Sequence, residues 1–501
     1  MRNEPPQTDH ATSNKWICRA ATAAIGVSIS LMVVLGILGP RAGTATFAAA
    51  PPWPPWFLHT HLPATLWSVT LWLVELLGGA GLVFGLLAVR RGWRPRVQGL
   101  IAASVLAVIA LMLIPPVDNG DPTLYAAFGR IAVLGHSPYV MTPGQLRSSG
   151  DPVGADLASA YWPSPSRYGP VATATEAAAS EIAGDTTART IFWLKVWNAL
   201  AYLAVVLALD RATRSHPGRR TRAHLLWSIN PLMLFALMGN GHNDVLAVAA
   251  GVSALLAIQR MDSIRGLLAG ILLGLAAAIK AQYALFGAGL GWAARRNPGV
   301  LTAMTVGAAA ILIPSYLIAG RAAINATVGL TALSPTGPWR AASRIFGLQH
   351  SANTLGLIAC AILAVILLWS MPAGPPGLPA IRIALALALA LVVLSPQQTA
   401  WYDAMIFPLL AIMPATRLDW IVVARAIALA AASQPFMIGS NPFLLTVFER
   451  VSVVGSPTLL LVGIVVALLW LCVARTWHPV NLDFHHVTAG SSAAAAGSQA
   501  R

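Results

Sequence analysis

The chain has 501 residues, of which 57% are hydrophobic and only 10% charged. Soluble domains carry about 25% charged residues, so an ordinary water-soluble protein is excluded. The formal net charge of +15 raises nucleic acid as a partner, but the basic residues recur at the ends of apolar stretches, where they set membrane topology rather than bind a polyanion.

Apolar stretches near the roughly 20 residues needed to cross the hydrocarbon core recur from Ile17 to Leu471. In chain order they predict spans over 17–39, 64–89, 97–116, 190–209, 223–240, 243–259, 264–279, 281–294, 299–319, 353–371, 380–395, 404–416, 419–436 and 456–474. The expected fold class is an all-α, polytopic integral membrane protein with about 13–14 transmembrane helices. Residues 1–16 read as a cytoplasmic tail, 17–475 as the transmembrane region with one long loop over 117–189, and 476–501 as a cytoplasmic tail. That last tail is Ala/Ser/Gly-rich from Ala489 and is expected to be disordered. The first apolar run is longer than a 7–15-residue signal-peptide core, so it is read as retained. No internal repeat is evident, which disfavours a transporter built from two related halves.

With a cytoplasmic N-terminus, the inner turns hold Arg90, Arg91, Arg94 and Arg96, then Arg211, Arg214, Arg219, Arg220 and Arg222, then Arg260, Arg265, Arg295, Arg296 and Arg417. This obeys the positive-inside rule at successive turns. The acids Asp118, Asp121, Asp151, Asp156, Glu176, Glu181 and Asp185 gather in the long outer loop, and Asp244 and Asp403 in short outer turns. Acids do little to set orientation, so their placement points to chemistry. Cys18, Cys360 and Cys472 lie in apolar spans with neither disulfide nor metal spacing.

The segment Asp118 to Arg130 follows the third span directly. Pro122 suits a first helical turn, and Tyr125, Phe128, Ile131 and Ala132 recur at helical spacing. A short helix lying in the interface is predicted, with Asp121 at its start, either as a cap or as a reactive carboxylate. Later in the loop come His136-Ser137-Pro138-Tyr139 and Tyr161-Trp162-Pro163-Ser164-Pro165-Ser166-Arg167-Tyr168-Gly169-Pro170. Aromatic faces suit a sugar and the guanidinium fork a phosphate, although Pro and Gly also make turns and Trp and Tyr populate interfaces anyway.

A second outer turn begins at Asn230-Pro231 and ends in Asn240-Gly241-His242-Asn243-Asp244. Asn243 or Asp244 can cap the next helix, but capping does not call for a neighbouring histidine. Lys280, one of three lysines, falls at the outer boundary against the positive-inside trend. It reads either as a snorkelling side chain or as an anion site. The last outer turn, Ser395-Pro396-Gln397-Gln398-Thr399-Ala400-Trp401-Tyr402-Asp403, joins amides, aromatics and a carboxylate. Within the hydrocarbon, Glu75 and Arg425 stand out and are expected to pair with each other or to face a cavity. The histidines of His59-x-His61 are too few to assign a metal.

The ordered set Asp121, Tyr125, Gly129, Gly135-x-Ser137-Pro138-Tyr139, Tyr168-Gly169-Pro170, Asn230-Pro231, Gly241-His242-Asn243-Asp244 and Lys280 resembles the polyprenol-phosphate-mannose-dependent α-1,6-mannosyltransferases of the GT-C superfamily. The resemblance runs from about Asp118 to Trp401. It implies a GT-C-like transmembrane catalytic domain in the plasma membrane and a lipid-linked sugar donor used on the extracytoplasmic side. The product would be the mannan backbone of an actinobacterial lipoglycan, with the acid at Asp121 as catalytic base. Pro122 beside that acid and Gln397-Gln398 in the late turn depart from the usual pattern. A transferase for polyprenyl-phosphate arabinose or ribose therefore remains an alternative.

The chemistry suits this layout on its own terms. A polyprenyl phosphate is a good leaving group once a cation meets its charge, and Lys280, Arg130 and Arg167 are candidates. The acceptor hydroxyl of a cell-envelope glycan or lipoglycan needs a base, for which Asp121 is the first choice and Asp118 the second. One attack inverts the anomeric centre, so a β-linked donor yields an α-linkage. His242, Asn243 and Asp244 are expected to orient the base or bind acceptor hydroxyls. Tyr125, Tyr168, Gln398, Trp401 and Tyr402 complete the substrate surface. No cofactor is implied, and dependence on a divalent metal stays open. A transporter or lipid flippase, the other class considered, predicts polar groups converging at mid-membrane on Glu75 and Arg425.

Overall fold

A computed structural model describes residues 8–39, 53–58, 60, 62–118, 120–157, 162–328, 334, 338–348, 351–375, 377–432 and 456–482. His59, His61, Asn119, Tyr161 and the tail from Ala489 lie outside the described residues. The chain opens with α1 (Thr8–Ile37), α2 (Ala64–Arg90) and α3 (Val97–Met112). The long loop carries α4 (Asp121–Val133), α5 (Pro143–Ser148), α6 (Pro152–Ala155) and α7 (Pro170–Ala183). Then come α8 (Thr187–Thr213), α9 (Pro217–Ala223), α10 (Pro231–Met233), α11 (Asp244–Ala257), α12 (Ser263–Ile279), α13 (Phe286–Ala294) and α14 (Pro298–Val328). The last group is α15 (Pro338–Phe346), α16 (Ala352–Ser370), α17 (Pro379–Leu394), α18 (Phe407–Ile412), α19 (Leu418–Ala432) and α20 (Ser456–Val473). Among the described residues there is no strand, and one isolated bridge joins Ala415 to Val480.

Among the described residues, five stretches are long and apolar enough to cross a bilayer: Lys15–Ile37, Leu66–Arg90, Thr187–Thr213, Pro298–Thr327 and Ala352–Ser370. Shorter apolar helices accompany them, and the protein is an all-α polytopic membrane protein. Three expected spans are not continuous helices. The segment expected over 223–240 breaks into α9, α10 and two π-helical turns, His224–Ser228 and Leu234–Gly239, because Pro231 has no N–H to continue a helix and Asn230 caps the restart through Leu232 N at 3.1 Å. The segment over 281–294 starts as the 3₁₀ turn Ala281–Leu285 before α13, and that over 404–416 combines the 3₁₀ turn Ala400–Met405 with α18. Irregular backbone at membrane depth survives where protein covers it, and residues 221–245 are buried without exception.

Small residues set the helix contacts. Gly266, Gly270 and Gly274, one turn apart on α12, face the backbone of α14 at Val300, Met304 and Ala308. This lets the two axes approach as small-residue stripes do in membranes. In α14 itself, Gly320 leaves helical geometry at φ +80°. Tyr316 OH still donates to Thr327 Oγ1 at 3.3 Å, which requires a reversal at Gly320, since eleven residues of straight helix span about 16 Å.

Polar groups gather at two ends of the bundle. At the basic end Arg222 donates to Asp419 at 2.5 Å and to the carbonyls of Leu410 and Met413 at 3.0 Å, while Arg220 and His224 share Asp210. Helix α1 begins at Thr8, inside the stretch read as a tail, and the chain beyond α20 folds back, with Val480 N donating to Ala415 O at 2.8 Å and Trp477 buried. Arg425 does not pair with Glu75; its guanidinium donates to Asp403 and to the Val392 carbonyl. Glu75 and Arg425 sit on α2 and α19 with like apolar surroundings, and the facing of those helices is set by packing that no local pattern records.

Candidate active site

The other end of the bundle is built around α4. Its N-cap is Gly120, which has no side chain to offer, so Asp121 enters as the first helical residue with 18% of its side chain exposed. A carboxylate there is favoured by the helix dipole. The short helix expected here is present and is covered by protein: Pro122 through Gly129 and Ile131 are all buried, with α7 and α8 packed over it. Gly129 makes this possible, because a Cβ there would overlap the carbonyl of Glu176 on α7. Gly169 works the same way, donating its N–H to Ile279 O at 3.0 Å at a point where a Cβ would overlap the Ala278 carbonyl. The Tyr168 loop is thereby pinned to the end of α12, next to Lys280.

The His242 turn is fastened to the start of the long loop. Val117 N donates to Gly239 O at 3.1 Å and Asp118 N to Asn240 Oδ1 at 3.0 Å. Asn198 on α8 donates to the carbonyls of Gly241 and His242 at 3.1 and 3.2 Å. Gly241 takes φ +71° there, a conformation that suits glycine. His242 is consequently held with Nδ1 at 3.3 Å from Tyr125 OH and 3.6 Å from Asp121 Oδ2. Its ring stacks on Trp401 at 3.8 Å and 17°. Tyr168 OH donates to Tyr125 OH at 3.4 Å, which frees the Tyr125 proton for Nδ1 in the tautomer that carries its ring proton on Nε2. Burial, then the nearby Lys280 charge, pushes His242 well below its ordinary range, so the ring is neutral. Burial likewise pushes the Tyr125 and Tyr168 hydroxyls well above theirs.

Lys280 ends α12 in an extended conformation, φ −140° and ψ 116°. Its ammonium donates to Asp244 Oδ2 at 2.5 Å and lies 5.2 Å from the Tyr168 ring centre and 5.5 Å from that of Tyr402. Neither Asn243 nor Asp244 caps α11: Asn243 occupies the cap position without a side-chain bond, and Asp244 turns to Lys280. Trp401 and Tyr402 stand edge to face at 6.3 Å on the 3₁₀ turn that also holds Asp403. The Arg425–Asp403 pair thus fixes the aromatic turn from behind. Gln398 is 4% exposed, with Nε2 donating to Val393 O at 2.8 Å and its backbone tied to Ser334.

The structure therefore brings Asp121, Tyr125, Tyr168, His242, Asp244, Lys280, Trp401 and Tyr402 into one cluster drawn from five separate segments of chain. Asp118 is anchored beside it through its backbone. Arg130 is placed otherwise, with Nε donating to Asp151 Oδ2 at 2.8 Å while Asp151 also caps α6 through Val153 N. Arg167 is exposed next to Tyr168. Among the described residues no group of three or more His, Cys, Asp or Glu is arranged to hold a metal. Open grooves lie away from the cluster: one of about 420 Å³ near Lys15, Arg19, Arg91 and Trp93, another of about 500 Å³ beside α19 and α20.

Sequence reasoning assigned no site role to four residues here. Asn198 clamps the His242 turn, and Lys195, fully buried one turn earlier, donates to Ile114 O at 2.8 Å beside Gly241. Both are polar positions in an apolar span, the kind of signal that marks function or a buried partner. Glu176 on α7 and Tyr283 beyond Lys280 are 1% and 0% exposed, and nothing in their local sequence distinguishes them.

Residues 23–296, more than half of the chain, match the family model described as alpha-(1->6)-mannopyranosyltransferase, N-terminal domain. A segment of 137 residues is 26% identical to alpha-(1->6)-mannopyranosyltransferase B of Corynebacterium glutamicum, covering 27% of this chain and 23% of that protein. The chain thus spans about a quarter of the length of the curated relative it matches. The family match contains α4, the His242 turn and Lys280, which meet in the cluster, while the Trp401 turn lies beyond it, and on that match the protein belongs to the alpha-(1->6)-mannopyranosyltransferase family.

Proposed function

We propose that this protein is a membrane mannosyltransferase, taking mannose from a polyprenyl-phosphate donor and placing it in α-1,6 linkage on a cell-envelope glycan or lipoglycan. The reaction is placed on the extracytoplasmic side of the plasma membrane. One observation carries the reading: Asp121, partly exposed at the start of α4, stands at the edge of an aromatic and hydroxyl-rich cluster whose ammonium is Lys280.

In this reading Asp121 accepts the proton of the acceptor hydroxyl as its oxygen attacks the anomeric carbon. The bond to the donor phosphate breaks on the opposite face, and the configuration inverts. His242, neutral and fixed by Tyr125 and Trp401, holds its Nδ1 3.6 Å from Asp121 Oδ2, beside the base. Lys280, with Arg167 at the rim, meets the charge that grows on the leaving phosphate. Asn243, Asp244 and Gln398 supply hydrogen bonds to hydroxyls, and Trp401, Tyr402 and Tyr168 supply apolar faces. Asp118, tethered by Asn240, is the second carboxylate within the same loop.

The test is turnover by the purified full-length chain on polyprenyl-phosphate mannose, arabinose and ribose with a short mannoside acceptor. Mannosyl transfer with inversion is expected, and Asp121→Asn should lower kcat by about 10²–10⁴-fold while leaving the unfolding transition in place. Full turnover by that variant would remove Asp121 as the base. Transfer of a pentose alone would reassign the donor, and movement of lipid without glycoside formation would make the protein a transporter.

A further inference from the structure

Behind Lys280 the structure holds a group of buried polar atoms that meet no partner. Glu176 is 1% exposed and neither carboxyl oxygen is hydrogen-bonded. Asn243, 4% exposed, has both amide atoms unpartnered, and Asp244, fully buried, has Oδ1 unpartnered although Oδ2 holds Lys280. The Tyr283 hydroxyl, fully buried, is also without a partner. Asn243 and Lys280 lie close enough to act on the Glu176 carboxyl, and Asp244 and Tyr402 close enough to act on the Tyr283 hydroxyl, while Lys280 and Asp244 are joined at 2.5 Å. No hydrogen bond closes between Glu176 and Asn243 all the same.

Native interiors rarely leave even one such atom unmet, and here they converge from α7, the His242 turn and the 3₁₀ turn after Lys280. The set also says what would meet it. A metal ion does not fit beside the ammonium, and away from Lys280 the unmet groups are carboxyl, amide and phenol, not cations that call for an anion. Amide, phenol and carboxyl groups alternate donors and acceptors, which suits neutral hydroxyls that do both. The rings of Tyr168 and Tyr402 stand 5.2 and 5.5 Å from Lys280 Nζ, giving apolar faces next to the polar set. Hydroxyls beside aromatic faces are the chemistry of a sugar ring.

We propose that Glu176, Asn243, Asp244 and Tyr283 form the subsite that hydrogen-bonds the ring hydroxyls of the transferred sugar, with Glu176 and Tyr283 as its specificity-determining members. This rests on the mannosyl-transfer reading above. It makes α7 a substrate-reading helix, held against α4 by Gly129. A donor sugar entering past Tyr402 replaces the missing partners, and a donor lacking the matching hydroxyl leaves them unmet, which is the costly outcome for a buried polar group.

The experiment measures kcat/KM for the full-length protein with polyprenyl-phosphate mannose and its 2-, 3-, 4- and 6-deoxy analogues, in wild type, Tyr283→Phe and Glu176→Gln. Each variant should lose about tenfold or more on the mannosyl donor and lose little further on one deoxy donor, because protein group and hydroxyl then vanish together. Equal losses on every donor would mean the atoms are met by water alone and would overturn the subsite. Should Glu176→Gln fail to fold, Tyr283→Phe carries the test. Tryptophan fluorescence with methyl mannoside as probe separates the two readings. If wild type transfers no sugar yet binds the probe, and Tyr283→Phe weakens that binding, the subsite stands and the transferase reading falls. If the variant binds as wild type does, or wild type neither transfers nor binds, the subsite falls.

Discussion

Replacing Lys280 by methionine separates what the cluster needs in order to stand from what it needs in order to work. The substitution keeps chain length and much of the volume but removes the ammonium 2.5 Å from Asp244 Oδ2, where the two side chains are 8% and 0% exposed. Asp244 Oδ1 already lacks a partner, so the carboxylate would be left buried without its cation. Removing one member of such a pair costs about 3–5 kcal/mol, against less than about 1 kcal/mol for an exposed pair. At about 1.4 kcal/mol per tenfold, the folding equilibrium falls by two to four orders of magnitude. Reversible unfolding of the purified protein in mixed micelles reads this directly. The double variant Lys280→Met with Asp244→Asn removes both charges and should recover most of the loss, since neutral replacements for a buried pair are often tolerated, but its turnover should stay low. A loss under about 1 kcal/mol for Lys280→Met would show the pair to be solvated. Recovery of both stability and turnover in the double variant would leave Lys280 a structural role only.

Gly169→Ala should cost about 1–3 kcal/mol by overpacking against Ala278 and lower turnover by parting Tyr168 from Lys280. Gly99→Ala on α3, where a Cβ meets nothing within 4 Å, should be neutral or stabilising, and thermal unfolding of the two variants checks both. Two buried groups predict opposed pH limbs in the unfolding free energy. His242 is held below its ordinary 6.5, so below that pH the unfolded chain binds a proton the folded chain refuses, and stability falls by up to about 1.4 kcal/mol per pH unit; His242→Gln should flatten that limb. Glu176 is held above its ordinary 4.5 by burial, so its contribution is complete below that pH and is lost as pH rises toward the folded value. Glu176→Gln should therefore be more stable than wild type near neutral pH while transferring sugar more slowly. An unchanged stability at both ends of the range would refute the burial of these two groups.

The helices were legible because the bilayer imposes a length, and apolar windows of that length can be read from sequence alone. The breaks at Asn230-Pro231 and after Lys280 follow from backbone chemistry, yet they sit inside windows that still look like spans. Asp121, His242, Lys280 and Trp401 were legible because each is a polar or aromatic residue in a connection between apolar stretches, where its presence needs a reason. Glu176 and Tyr283 were not, because their meaning lies in what faces them across helix contacts. The same holds for Arg425, whose partner is Asp403 and not Glu75, and for α4, which is covered by α7 through Gly129.

The charge state of the cluster makes one further demand on Lys280. With His242 neutral and Glu176 held toward its protonated form, Asp121 and Asp244 are its anions and Lys280 its cation. A donor phosphate arriving there gains negative charge as the sugar leaves, so an ammonium shared with Asp244 must have donors to spare. It does: a lysine has three N–H donors, one of which is directed at Asp244. Lys280→Arg keeps the charge but presents a planar fork that pairs with a carboxylate through two bonds at once, drawing more of its donors toward Asp244. Stability should then hold or rise while kcat falls by about tenfold, roughly the loss of one charge-assisted hydrogen bond in the transition state. An arginine variant with wild-type kcat would mean that the leaving phosphate is met elsewhere, with exposed Arg167 the next residue to substitute.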